Sequence, residues 1–311
     1  MNIPKQIRCP YTRQALSVID ASVEHIVPAA LGGGGDFAVM AERKSNNDLG
    51  SSLDEPLISS PLIGLQRVDL GIKGYSGGPR LKLPGKVKGH AVPIEVTFST
   101  DAIDTHVRKP VEMDPSGNSG RIVIPANQEA EFTKKLMTDY ARKGKEIRLD
   151  ESYTLGTEME LDFGFDVLLL KRAMAKIAFL AAFRVLGDEF LNDPLYDEWH
   201  NCIFATDHER LVKTKLRGVA FDAANLFAVS APPIERYEHM AVVANLQMAG
   251  PVVMVSLFGT KFHHMMAIAS DSKQYNLGVG EGQIAICDAT TRKTRFIDYL
   301  DFLLMRSRGQ M

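Results

Sequence analysis

Two rhythms of hydrophobic and polar residues run along the chain, and each predicts a different kind of element. Apolar positions repeat with helical spacing over 128–143 and 166–186, which predicts an amphipathic helix and a long buried helix. Alternation, or short apolar runs bounded by glycine, predicts strands at 92–99, 239–246, 251–258, 262–269 and 282–286. The close spacing of the runs after residue 239 is typical of an antiparallel meander, and a final short helix is expected over 296–305.

The first sixty residues have a finer pattern. Three short extended segments are expected, at 7–9, 17–19 and 23–27. Gly32 to Gly35 follow and are interpreted as a flexible connector. A short helix is then predicted over 46–53, with Ser45 or Asn46 suited to its N-cap.

Residues 61–90 are predicted to connect this segment to the rest of the chain. Glycine and proline recur from residue 64 onward, so no regular helix is expected there. Between Arg67 and His90, six cations and one anion give a net charge of +5, whereas the whole chain carries −2. Local cations are what phosphate contact requires, and the predicted DNA-backbone contacts are Lys73, Arg80, Lys82, Lys86 and Lys88.

Composition describes a globular protein with room for two domains. The chain has 311 residues, of which 45% are hydrophobic and 24% charged. The three cysteines are far apart, which excludes a disulfide framework and a four-thiolate zinc site and favours a reducing, cytoplasmic setting. No secretory signal is expected at the N-terminus, and charged residues interrupt the apolar run 167–186, which argues against a membrane span.

The residues with the clearest chemical meaning are Glu24, His25 and Asn46. A carboxylate oxygen and an amide oxygen can hold a hard cation such as Mg²⁺, while a neutral imidazole accepts a proton from an attacking water. These are the groups that a one-metal phosphodiesterase needs. The segment from Ser22 to Pro28, followed by Ser45 to Gly50, resembles the HNH nuclease family, whose active site is a ββα-metal finger.

The resemblance covers roughly residues 7 to 58 and assigns roles one residue at a time. It implies that His25 is the general base, that Glu24 binds Mg²⁺ or Mn²⁺, and that Asn46 binds the same metal or fixes the loop. Asn47 and Asp48 are substitutes if the register differs, and Asp54 lies where relatives often carry an acid. The expected fold class is α+β: an N-terminal ββα-metal finger over 1–60, the basic connector 61–90, and an α+β domain over 91–311 with an antiparallel sheet and a long buried helix.

Many HNH proteins flank the finger with two CxxC knuckles that bind a structural zinc. The corresponding positions here are Cys9 to Thr12 and Glu42 to Ser45, so one cysteine of four remains. A structural zinc is therefore not expected. Because such a metal contributes on the order of 10 kcal/mol to the folding of a small unit, the finger is expected to be stabilised by packing against the rest of the chain.

The resemblance predicts a metal-dependent DNA endonuclease that leaves a 5′ phosphate and a 3′ hydroxyl, in bacterial or phage restriction or defence. The alternative is a catalytically inactive finger kept as a DNA-binding or assembly module. Since one finger cuts one strand, double-strand cleavage would require a homodimer. The C-terminal domain is expected to recognise substrate, or to bind a regulatory ligand or protein partner that switches the nuclease on.

Overall fold

The computed structural model describes residues 7–74, 77–88, 92–108, 110–115, 119–146, 148, 158–206, 218–220, 230–246, 250–259, 262–267 and 275–309. Helices and antiparallel sheets are both present, which confirms the predicted α+β class. The chain divides into two compact units, Met1–Gly78 with Asp166–Met311, and Pro79–Phe165. These boundaries differ from the predicted segments, because the C-terminal half packs against the N-terminal residues and 79–165 form a unit of their own.

The first unit begins with an antiparallel hairpin followed by nearly continuous helix. Its elements are β1 (Ala21–His25), β2 (Ala38–Glu42), α1 (Arg43–Leu49), a π-helical turn (Gly50–Asp54), α2 (Glu55–Ser59) and α3 (Pro61–Asp69). Leu49, Leu53 and Leu57 are buried at a spacing of four residues, so one apolar stripe continues through the π-helical turn.

The second half of this unit combines three helices with an antiparallel sheet. The helices are α5 (Val167–Leu186), α6 (Tyr196–Ile203) and α7 (Tyr299–Ser307). The strands are β9 (Gly218–Ala220), β10 (Glu238–Leu246), β11 (Gly250–Leu257), β12 (Phe262–Ala267), β13 (Gly282–Asp288) and β14 (Lys293–Asp298), in the sheet order β14-β13-β10-β11-β12-β9. The predicted meander is confirmed, since β10 pairs with β11 and β11 with β12 in antiparallel register.

Helix α5 connects the two halves of the first unit. It contacts β10, β11 and β12 of the sheet, and it also contacts β2, α2 and the π-helical turn of the N-terminal region. Its residues from Ala173 to Ala182 are all buried, as expected of a helix that is apolar on every side. Asp166 caps it, because one carboxylate oxygen accepts from the backbone N–H groups of Leu168 and Leu169 at 2.9 Å each.

The second unit is built around a small antiparallel sheet of order β5-β4-β3-β8. Its elements are β3 (Arg80–Val87), β4 (Pro93–Ser99), β5 (Ile103–Val107), the hairpin β6 (Val111–Met113) with β7 (Gly120–Ile122), helix α4 (Glu129–Arg142) and β8 (Met159–Leu161). Val92, Ile94, Val96 and Val107 form its core. The helix predicted over 128–143 is confirmed as α4.

Several predicted elements are wrong in detail. Residues 17–19 form a turn, and 7–9 contribute only an isolated bridge between Arg8 and Ala15. The helix expected over 46–53 begins three residues earlier, directly after β2. The connector is replaced by α3 and β3, because apolar residues within 61–69 and alternation within 80–87 find partners to pack against.

Among the described residues, no helix has the length and apolar character needed to cross a lipid bilayer.

Candidate active site around His25 and Lys176

The loop between β1 and β2 is tightly packed against its surroundings. A Cβ atom on Gly33 would lie 1.7 Å from the carbonyl oxygen of Val27, and one on Gly32 would lie 2.4 Å from the backbone of Ala289. Gly32 also has a φ of 93°, which side chains other than glycine rarely adopt. The glycines are therefore required by close approach, which corrects the interpretation of this loop as a flexible connector.

The two predicted knuckle positions come together in space. The backbone N–H of Glu42 donates to the Sγ atom of Cys9 at 3.2 Å, and the Ser45 hydroxyl donates to the Glu42 carboxylate at 2.6 Å. A single thiol with these hydrogen-bonding partners does not offer the four ligands of a structural zinc. A hydrogen bond thus links the two positions that correspond to the knuckles in the resemblance.

Aromatic packing against α5 and α6 stabilises the same region. The ring of Tyr11 stacks on Phe179 of α5 with centroids 6.1 Å apart, and the Tyr196 hydroxyl, on α6, donates to the carbonyl oxygen of Pro10 at 2.7 Å. The guanidinium of Arg13 lies 3.6 Å from the centre of the Tyr196 ring. These contacts pack residues 10–13 against α5 and α6.

Glu24 is buried in an ion-pair cluster. Successive side chains of a strand point to opposite faces, so Val23 is 51% exposed whereas Glu24 is 2% exposed. The Lys176 ammonium, from the middle of α5, lies 2.6 Å from Glu24 Oε1 and 2.7 Å from Asp54 Oδ2. Lys176 is fully buried, so its charge is balanced by these two carboxylates of the N-terminal region.

Burial and charge act in opposite directions within this cluster. Burial disfavours the charged form of Lys176, but attraction by Asp54 and Glu24 outweighs it and holds the lysine pKa above its ordinary value. For Glu24, burial raises the pKa by more than the attraction of Lys176 lowers it. Burial beside Glu24 and Asp54 also raises the pKa of Tyr11 well above its usual range, so this phenol stays neutral.

His25 ends β1, next to the buried glutamate, and is itself half-buried. Its pKa is lowered by burial, and the positive charges of Arg292 and Lys176 lower it further against the opposing effect of Asp54. The imidazole is therefore neutral at physiological pH, which is the form that accepts a proton. Arg292 lies in the turn between β13 and β14, and one of its guanidinium N–H groups donates to the Lys73 carbonyl at 2.6 Å.

Asn46 connects α1 to β1. Its Nδ2 atom donates to the Ser22 hydroxyl and to the Val23 carbonyl, at 3.0 Å each. Its neighbours Asn47 and Asp48 are exposed, and Asp48 pairs with Lys44 at 2.7 Å. The structure thus gives Glu24 and Asn46 separate partners, and their convergence on one metal ion stays a prediction.

The five predicted DNA-backbone contacts are divided between the two units. Lys82, Lys86 and Lys88 belong to the second unit, where they pair with Glu95, Glu160 and Glu158. The register places Lys86 opposite Glu160, and it places Glu95 opposite Pro84, two residues from Lys82. Lys88 and Glu158 lie just beyond the ends of β3 and β8. Arg80 and Lys73 are exposed. The local charge of +5 is therefore partly neutralised by residues far away in sequence.

Lys176 and Arg292 are the two residues of this site that sequence reasoning missed. Lys176 counted only as a charge that interrupts an apolar run, yet a lysine surrounded by Ala173, Met174, Ile177 and Phe179 has to find an acid. That signal predicts a partner for Lys176 but does not identify it. Arg292 lies in the turn between β13 and β14 and belongs to no recognised sequence motif.

The donor set does not fit a divalent cation in the conformation described. Among the described residues, no group of three or more His, Cys, Asp or Glu side chains could hold a metal ion. Glu24 and Asp54 already surround an ammonium group, and a metal ion added beside it would be repelled in this buried site. Comparison of the chain with protein-family models, curated protein sequences and solved structures finds no match.

Proposed function

We propose that this protein is a DNA endonuclease of the HNH type, with His25 as its general base. The observation that carries the proposal is the order β1, glycine loop, β2, α1, which places a neutral, half-exposed imidazole at the end of β1 beside an acid. The approach of Cys9 to Glu42 also supports it, because the resemblance places its two knuckles at those positions.

The residues present can perform part of a phosphodiester hydrolysis. The His25 imidazole accepts a proton from a water molecule whose oxygen attacks phosphorus, while the bond from phosphorus to the 3′ oxygen breaks and that oxygen takes a proton from solvent. The guanidinium of Arg292, whose positive charge lowers the pKa of His25, attracts the phosphate electrostatically. Asn46 fixes the position of α1 against the strand that ends in His25.

A second candidate function is a DNA-binding or assembly module that has lost hydrolysis. The observation that favours it is the buried cluster of Glu24, Lys176 and Asp54, since the acid that should bind Mg²⁺ or Mn²⁺ is paired with a lysine. In both cases the partner is DNA. We also propose a cytoplasmic location, a role in restriction or defence, a second copy of the chain for double-strand cleavage, and recognition or regulation by the C-terminal half.

The test is nicking of supercoiled plasmid in the presence of Mg²⁺ or Mn²⁺. The wild-type protein is compared with His25→Ala and with His106→Ala, a control at an exposed histidine of β5. We expect nicking by the wild type and the control, and a loss of at least about a hundredfold in His25→Ala, as is typical for removal of a general base.

Equal nicking by all three proteins would exclude His25 as the base. No nicking by any of them, together with DNA binding that weakens steeply with salt in a gel-shift titration, would favour the binding module.

A further inference from the structure

In the cluster of Glu24, Asp54 and Lys176, two carboxylates surround a cation, and that cation is the lysine ammonium. The Lys176 ammonium contacts one oxygen of each carboxylate at 2.6 and 2.7 Å. The two carboxylates come from different parts of the finger, one from β1 and the other from the π-helical turn. Without Lys176, buried Glu24 and partly buried Asp54 would face each other with no positive charge between them.

Further oxygen atoms border the same space. The Tyr11 side chain is 2% exposed, and its hydroxyl makes no hydrogen bond of ordinary geometry within the part of the chain that the structure describes. The second carboxylate oxygen of Asp54 is buried and lacks a partner among the same residues. Glu24 and Asp54 both influence the Tyr11 hydroxyl electrostatically, so these atoms belong to one neighbourhood. Oxygen donors of this kind are the ligands that hard divalent cations prefer.

An ammonium group and a divalent cation compete for such a site. Each would lie a few ångströms from the other, in surroundings where water screens their repulsion poorly. Lys176 has no route to solvent through its own side chain, because it lies in the middle of α5 and is fully buried. The lysine can therefore leave the carboxylates only if α5 or the finger moves.

We infer that Lys176 is an internal substitute for the metal ion, which keeps Glu24 and Asp54 in a closed, metal-free state until α5 and the finger separate. This inference rests on the proposed function, because it explains how the finger of a nuclease can hold its acids without metal. It makes the contact between α5 and the finger autoinhibitory: transient separation gives the wild type a basal rate of nicking, and a signal that separates them raises that rate. The sheet that packs on α5 is then the element through which a signal would act.

The first test is binding of Mn²⁺ alone to the full chain, measured by isothermal titration calorimetry. Lys176→Met removes the charge and keeps most of the volume, and Lys171→Met makes the same change elsewhere on α5. We expect Lys176→Met to bind Mn²⁺ at least about tenfold more tightly than the wild type and the Lys171→Met control. The double variant Lys176→Met/Glu24→Gln should lose this gain.

Equal Mn²⁺ affinity in the wild type and Lys176→Met would overturn the inference, as would a gain that survives Glu24→Gln. If Lys176→Met does not fold, the comparison moves to the wild type and the single variant Glu24→Gln. Equal Mn²⁺ affinity of those two proteins supports exclusion of metal by Lys176, whereas a loss of about tenfold or more in Glu24→Gln refutes it.

Plasmid nicking separates this inference from the proposed function. Tighter Mn²⁺ binding by Lys176→Met without nicking would support the substitution of metal by lysine and would contradict the nuclease. Nicking by the wild type that disappears in Lys176→Met would support the nuclease and would show that Lys176 is required rather than inhibitory.

Discussion

Acidification from pH 7.5 to pH 4 should destabilise the first unit through His239. This histidine lies on β10 with no exposed surface, between the Leu31 carbonyl and the backbone N–H of Phe258. Because the Phe258 N–H donates to Nδ1 at 3.0 Å, the ring proton is on Nε2, which donates to the Leu31 carbonyl at 2.8 Å. Protonation of Nδ1 would place its new proton against the N–H of Phe258, which can only donate.

The size of the effect follows from the pKa of His239. Burial lowers this pKa from 6.5 to about 4, and the hydrogen bond to Leu31 offsets only part of that shift. Between those values the unfolded chain binds a proton that the folded chain does not, so stability falls as the pH falls. At 1.36 kcal/mol per pKa unit, the loss across this window is roughly 3 kcal/mol. Below pH 4 both states are protonated and His239 contributes no further change.

Urea denaturation at several pH values measures this loss. The chain has a single tryptophan, Trp199, which is fully buried in the same unit and reports its unfolding by fluorescence. The control His239→Gln can donate one hydrogen bond and accept another, but it does not titrate. Subtracting its pH profile from that of the wild type removes contributions from His25 and the carboxylates. A difference that stays constant from pH 7.5 to 4 would refute a buried neutral His239.

Three further predictions concern stability and accessibility. Gly33→Ala should lower the free energy of unfolding in urea by about 3 kcal/mol or more, because its Cβ would overlap a backbone carbonyl. Gly35→Ala has open space around its Cβ and should change that free energy by no more than about 0.5 kcal/mol. Similar losses in the two variants would contradict the packed loop. Asp166→Ala should lower the free energy of unfolding by about 1 kcal/mol, because the α5 cap is lost, and Asp166→Asn should lower it less. Equal melting temperatures of the wild type and the two variants would exclude the cap. All three cysteines are buried, so Ellman's reagent should modify them only after denaturation, and rapid modification of the native protein would contradict their burial.

Local periodicity was sufficient to predict the elements in which one pattern of apolar and polar positions runs from end to end. Helices α4 and α5 and the meander of β10 to β12 follow from spacing alone, because amphipathic and buried patterns repeat over many residues. The end of the chain shows the limit. A helix was expected from residue 296, but 293–298 form strand β14, and the helix begins after Asp298, which caps it. Pairing with β13 decided the conformation there.

In the candidate site, too, some features follow from the sequence and others only from the tertiary structure. The sequence by itself predicted Glu24, His25 and Asn46 as site residues, because their residue types and spacing form a motif within thirty residues. Only the tertiary structure paired Glu24 and Asp54 with Lys176, which lies 122 residues after Asp54. Periodicity shows that a lysine is buried, but the acid that it contacts depends on which surfaces of α5 and the N-terminal region face each other. The same reason explains why Lys82, Lys86 and Lys88, which the sequence predicted to contact DNA, are ion-paired in the fold.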